Sequence, residues 1–110
     1  MDQIIKTIPY NIKLADSFFK RFKGLMFRNT QLENEGLWII PCNSIHMCFM
    51  NFEIDAVFLN NENRIVKMIE GMKPWQFVKP VKGAYSVIEL PSGTVARFEL
   101  KQGEVINLLT

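Results

Sequence analysis

Asp55-Ala56-Val57-Phe58-Leu59-Asn60-Asn61-Glu62-Asn63-Arg64-Ile65-Val66-Lys67-Met68-Ile69 is the stretch whose reading decides the fold. Asp55–Leu59 is rich in aliphatic and aromatic residues, which suit a pleated, buried strand. Asn60–Asn63 supplies a turn, because Asn tolerates left-handed backbone. Arg64–Ile69 alternates loosely and should return antiparallel, so the whole reads as a β-hairpin.

The flanking sequence extends the same pattern. Gly36–Ile40 and Ser44–Met50 read as strands, and Gly71–Gly83, with Pro74 and Pro80 and no clean period, reads as a long loop. Its Trp75 and Phe77 are expected to pack down over the body. Tyr85–Leu90 is another strand, broken by Pro91-Ser92-Gly93; Thr94–Leu100 is a short helix or a strand; Lys101-Gln102-Gly103 turns into a last strand, Glu104–Leu109. Near the start, strands Gln3–Ile8 and Asn11–Leu14 flank Pro9-Tyr10. A helix of two turns at most follows, capped by Asp16 or Ser17, with Phe18 and Phe22 on one face. Lys20, Arg21 and Lys23 occupy its last turn, where the dipole favours cations, and Gly24 stands where a helix stop is wanted. The class is therefore mostly β, expected as a compact antiparallel barrel or sandwich with one or two short helices. Strands do not alternate with long helices, which disfavours a Rossmann or flavodoxin fold.

A chain of 110 residues is one domain, expected to span 1–110. With 48% hydrophobic and 22% charged residues it has the composition of a soluble globular protein, not of a disordered or fibrous one. Thirteen cations against eleven anions leave a net charge of +2, and the basic residues are scattered along the sequence. No nucleic-acid or membrane partner is expected on that basis. The first residues lack a basic region followed by an apolar one, so no signal peptide is expected, and no apolar run approaches a membrane span. The expected location is cytoplasmic, where thiols stay reduced. The six glycines form no phosphate-binding pattern, and no Gly-x-Ser-x-Gly elbow exists.

The densest chemistry lies in Cys42-Asn43-Ser44-Ile45-His46-Met47-Cys48-Phe49-Met50. In an extended strand Cys42, Ser44, His46, Cys48 and Met50 share one face, and Ile45, Met47 and Phe49 share the core face. Cys42 and Cys48 would then stand about 20 Å apart, far beyond the roughly 4.4–6.8 Å of a disulfide's Cα pair. Both read as reduced, small buried hydrophobes. His46, the single histidine, reads as a hydrogen-bonded structural residue, with ligand or catalyst as the alternative. Three Cys and His residues fall short of the four ligands of a structural zinc, so no metal and no cofactor are expected. Asp55, flanked by apolar residues, either accepts from turn amides or lines a site, and the first role is favoured. Glu89, between Ile88 and Leu90, raises the same question. Arg28 pairs either with one of these carboxylates or with an anionic ligand.

Gly24-Leu25-Met26-Phe27-Arg28, Glu35-Gly36-Leu37-Trp38, His46 with Met50, and Ile54-Asp55-Ala56-Val57-Phe58-Leu59 together resemble the family catalogued as domain of unknown function 192. Tyr85-Ser86-Val87-Ile88-Glu89-Leu90-Pro91-Ser92-Gly93-Thr94 is similar to that family's Leu-Glu-x-x-x-Gly element, and Gly103-Glu104 to its closing Gly-Asp. The ordered set covers about residues 10 to 108. The resemblance implies a compact, mostly β barrel or sandwich with a short helix, and brings no established reaction, cofactor or catalytic residue. Two departures stand out: the family's Trp-Met-Lys-Asn-Thr stretch reads His46-Met47-Cys48-Phe49-Met50 here, and its closing Asp is Glu104.

The resulting expectation is a domain that binds a small molecule or peptide, with Arg28, Cys42, His46, Asp55 and Glu89 as candidate binding residues. The cleft is expected where His46, Asp55 and Arg28 converge, under the Gly71–Gly83 loop. The alternatives are an enzyme using His46 as acid or base, with Cys42 as nucleophile, and an interaction module that docks a partner through Trp75 and Phe77.

Overall fold

The computed structural model describes residues 3–108, and of Phe18 and Phe19 only the backbone. The hairpin forms as read: β5 (Ile54–Leu59) pairs antiparallel with β6 (Ile65–Met72). The Asn60 side-chain oxygen accepts the amides of Glu62 and Arg64, each at 2.9 Å, and Asn63 takes the left-handed φ of 61°. The turn is therefore built by asparagine chemistry, as its sequence demands. All six residues of β5 are buried. A strand covered on both faces needs no polar alternation, which explains the apolar run Ala56–Leu59.

The remaining elements are β1 (Ile5–Ile8), β2 (Asn11–Ala15), α1 (Phe18–Lys23), β3 (Glu35–Ile39), β4 (Ile45–His46), β7 (Phe77–Val78), β8 (Ser86–Pro91), α2 (Thr94–Arg97) and β9 (Val105–Leu108). A five-stranded sheet runs β2-β3-β8-β5-β6, and β1 pairs with β9 and β4 with β7. The protein is mostly β with two short helices, as expected. Two details differ from an antiparallel barrel: the sheets form a sandwich-like body without closing, and the pairs β1–β9 and β2–β3 are parallel. Parallel pairing of neighbours needs a long crossover, which α1 and the stretch 24–34 supply between β2 and β3.

Alternation along β5 and β8 sorts the core into two faces. Val57, Leu59, Ile88 and Leu90 pack with Ile8, Ile12 and Val95 on one side. Ala56, Phe58 and Val87 pack with Leu25, Ile45, Met47 and Met50 on the other. Ser17 caps α1 by accepting from the Lys20 amide, and Gly24 ends it. The expected partnership of Phe18 with Phe22 lies outside the described side chains.

Three readings are corrected. Ser44–Met50 is extended only at Ile45–His46, because the chain turns at Cys48–Phe49 with φ 59° at Phe49. Its two faces therefore do not persist: Ile45 and Met47 are buried as expected, but Met50 is buried and Phe49 exposed. The Gly71–Gly83 loop contains β7, and its Trp75 and Phe77 stand out instead of packing down, at 63% and 65% exposure. Thr94–Leu100 resolves to a one-turn helix. The last strand ends within the described residues at Leu108; Leu109 lies outside them.

Candidate functional site

Glu89 stands in the middle of β8, with Leu37 of β3 and Ala56 of β5 as its cross-strand neighbours. Its carboxyl is thus placed among apolar groups, and the residue is 3% exposed. Burial pushes its pKa from 4.5 up to about 8, so the acid is mostly protonated at neutral pH. Oε2 is buried without a hydrogen-bond partner among the described residues. The carboxyl faces the stop of α1: a Cβ added to Gly24 would lie 3.5 Å from Oε1.

A cleft opens above Glu89, walled by α1 and its stop on one side and by Cys42, Ser44 and His46 on the other. It holds about 30 Å³ of free space, enough for a water-sized group. Arg21 and Lys23 lie at its rim. The His46 Nδ1 accepts the Cys48 amide at 3.3 Å, so the neutral ring carries its proton on Nε2. The Phe22 ring packs 6.0 Å from the imidazole. The Cys42 thiol donates to the Ser44 carbonyl at 2.8 Å, and burial pushes its pKa up. A thiol held protonated is a poor nucleophile, which weighs against that role for Cys42. Cys42 and Cys48 are both free.

The structure therefore brings Cys42, His46 and Glu89 together and leaves Arg28 and Asp55 outside the cleft. Arg28 pairs with Glu35 and donates from Nε to the Thr30 carbonyl at 2.8 Å, so it serves its own loop. Asp55 is fully buried and accepts the amides of Gly71, Gly93 and Val95 at 2.9, 3.2 and 2.9 Å. It ties the end of β6 and the start of α2 to β5. Register explains the separation: Asp55 faces Leu90 and Ala56 faces Glu89, one residue out of step. Successive side chains point to opposite faces, so the two carboxyls lie on opposite sides of one sheet. Sequence reasoning missed Gly24, Arg21 and Lys23 as parts of the site. The helix-stop glycine after a cationic turn was visible, but its proximity to Glu89 is a tertiary contact. Among the described residues no group of three His, Cys, Asp or Glu side chains is placed to hold a metal ion.

The sequence model of the family DUF192, described as an uncharacterized ACR, matches residues 2–108. The chain belongs to the DUF192 family. It is 35% identical over 101 residues to a UPF0127 protein of Thermococcus kodakarensis, covering 87% of this chain and 63% of that relative. A UPF0127 protein of Pyrococcus furiosus is 33% identical over 104 residues, covering 90% of this chain and 87% of its own length. The chain thus spans under two-thirds of the Thermococcus relative and most of the Pyrococcus one. A crystal structure of a protein of unknown function from Novosphingobium aromaticivorans superposes with a TM-score of 0.77 at 23% identity, over 86% of this chain and 71% of that one. At that identity the likeness bears on the fold alone. Within this DUF192 domain, two stretches that carry the family resemblance, Gly24-Leu25-Met26 and Glu89, meet at one cleft.

Proposed function

We propose that this DUF192 domain binds a small polar molecule, or a peptide side chain, in the cleft between α1, the Cys42–His46 segment and β8. The observation that supports this is the Glu89 Oε2, a buried polar atom with no partner. Leaving such an atom unpaired costs about 1–3 kcal/mol, which a ligand that pairs it would recover. A neutral carboxyl both donates and accepts, so it matches a group that does the same: a carboxamide or a hydroxyl. The free space admits one such group, while the rest of the ligand rests at the mouth against Phe22 and His46. Arg21 and Lys23 at the rim disfavour a cationic ligand.

Thermal melting against a panel of small amides, polyols and Asn-, Gln- or Ser-containing peptides tests this. A ligand at a hundred times its Kd stabilises by about 2.7 kcal/mol. The shift should survive largely in Glu89→Gln, which keeps a donor and an acceptor, and vanish in Glu89→Met. A shift unchanged in Glu89→Met, or no shift from any compound, would reject the reading.

Acid–base catalysis at this cleft is favoured by one observation: the buried Glu89 carboxyl, which burial raises to about 8, lines the same cleft as the His46 imidazole. Chemical conversion of a bound compound, lost in His46→Gln, would establish catalysis; binding without conversion leaves the domain a binder.

A further inference from the structure

Phe22 and Phe27, Phe49, and Trp75 and Phe77 stand exposed on three segments that contact one another. Backbone bonds hold the segments together. The Phe27 amide donates to the Phe49 carbonyl at 3.0 Å, and the Trp75 amide to the Met47 carbonyl at 2.8 Å. Phe27 stacks on Phe49 with centroids 4.9 Å apart, and Phe49 meets Trp75 edge-on at 5.0 Å.

The backbone beneath these rings is unusual. Phe27, Phe49 and Trp75 have φ of 65°, 59° and 70°, a region that bulky L residues adopt at a cost. In each of two segments the neighbouring methionine, Met26 or Met50, is buried while the phenylalanine points out. The left-handed backbone turns the methionines inward and leaves the neighbouring rings in solvent, and such strain concentrates at functional surfaces.

Charge is distributed to match. Stretches 17–28, 41–52 and 73–85 contain seven of the thirteen cations, namely Lys20, Arg21, Lys23, Arg28, Lys73, Lys79 and Lys82, and no Asp or Glu. The other six cations and all eleven acids lie elsewhere in the chain. The three stretches thus sum to +7 in sequence and the rest of the chain to −5, with Asp16 and Glu53 directly bordering them. Arg28 is neutralised by Glu35, and Lys73, Lys79 and Lys82 are exposed.

We propose that these segments dock on an anionic lipid surface, with Phe27, Phe49 and Trp75 seated at headgroup depth and the lysines against the phosphates. Apolar aromatics flanked by cations are the composition that binds a charged bilayer interface. Nucleic acid is the weaker fit, because two of the rings spend their faces on each other instead of offering them to bases.

The test uses the whole chain with vesicles of phosphatidylcholine alone and of phosphatidylcholine with phosphatidylglycerol. Sedimentation should occur with the anionic vesicles and not the neutral ones. Trp emission should shift to the blue on binding, and Trp75→Phe should abolish the shift while leaving Trp38 as an unresponsive reporter. Lys73→Gln/Lys79→Gln/Lys82→Gln, checked for an unchanged melting curve, should weaken binding by at least about tenfold. Failure to bind anionic vesicles at low ionic strength would overturn the proposal. So would full binding by the triple variant, or tighter binding to oligouridylate than to vesicles.

Discussion

The carboxyl group of Glu89 and the backbone of Gly24 face each other so closely that a Cβ on Gly24 would sit 3.5 Å from Oε1 and 3.8 Å from Oε2. Gly24 also has a φ of 50°, which favours a residue without a side chain. One glycine therefore stops α1 and leaves open the space above a buried acid.

That acid makes stability depend on pH. Its pKa is about 8 in the fold and 4.5 ordinarily, so between these values the folded state holds a proton that the unfolded chain has released. The contribution of Glu89 is fully present below the lower value and is lost as pH rises through the window. Between about pH 5 and about pH 8 the loss should be on the order of 3 kcal/mol. The difference between wild type and Glu89→Gln in denaturant unfolding isolates it. Parallel pH profiles for the two proteins would contradict the assignment.

Asp55→Ala should destabilise the domain by about 1–3 kcal/mol or more, because the amides of Gly71, Gly93 and Val95 lose their common acceptor. Asp55→Asn, which keeps one oxygen, should cost less. An unchanged melting temperature for Asp55→Ala would contradict the role.

Gly36 in β3 is closely surrounded. A Cβ there would meet the Glu89 carbonyl oxygen, Ile12 Cδ1 and Leu90 Cδ2, each at 2.9 Å. Gly36→Ala should therefore cost about 1–3 kcal/mol through overpacking. Because one of the three atoms is backbone, relaxation of side chains alone does not relieve it. Chemical denaturation measures the cost, and a neutral substitution would show that β3 and β8 lie further apart.

Cys42 and Cys48 are free thiols. Alkylation of the denatured, unreduced protein should add two groups by mass. No added groups would mean that the two are bridged.

Much of this was legible beforehand because it is local. The β5–β6 hairpin follows from the asparagine turn and the apolar run, and the Asp55 cap follows from a carboxylate placed among aliphatic neighbours. The free cysteines followed from a strand reading that the structure then shortened, so the outcome held for a different geometry. Register was not legible. Asp55 and Glu89 look equivalent in sequence, each a carboxylate in an apolar strand, and a one-residue offset between β5 and β8 sends them to opposite faces. The left-handed backbone at Phe49 was equally invisible, since nothing in Cys48-Phe49-Met50 asks for it. It ends the strand early and turns Met50 inward, which removes it from the face assigned to His46. The cations look scattered because those near the exposed aromatics in sequence are divided between two distant segments, 17–28 and 73–85.

The buried, protonated and unpaired state of Glu89 underlies the proposed site, and carbon-13 NMR of its side-chain carboxyl, assigned by comparison with Glu89→Gln, measures that state directly. Across a pH titration the Glu89 signal should remain that of a neutral acid through pH 7 and move with a midpoint about 8. A midpoint at the ordinary 4.5 would mean that the carboxyl is solvated or paired, and the cleft would lose the group proposed to recognise its ligand.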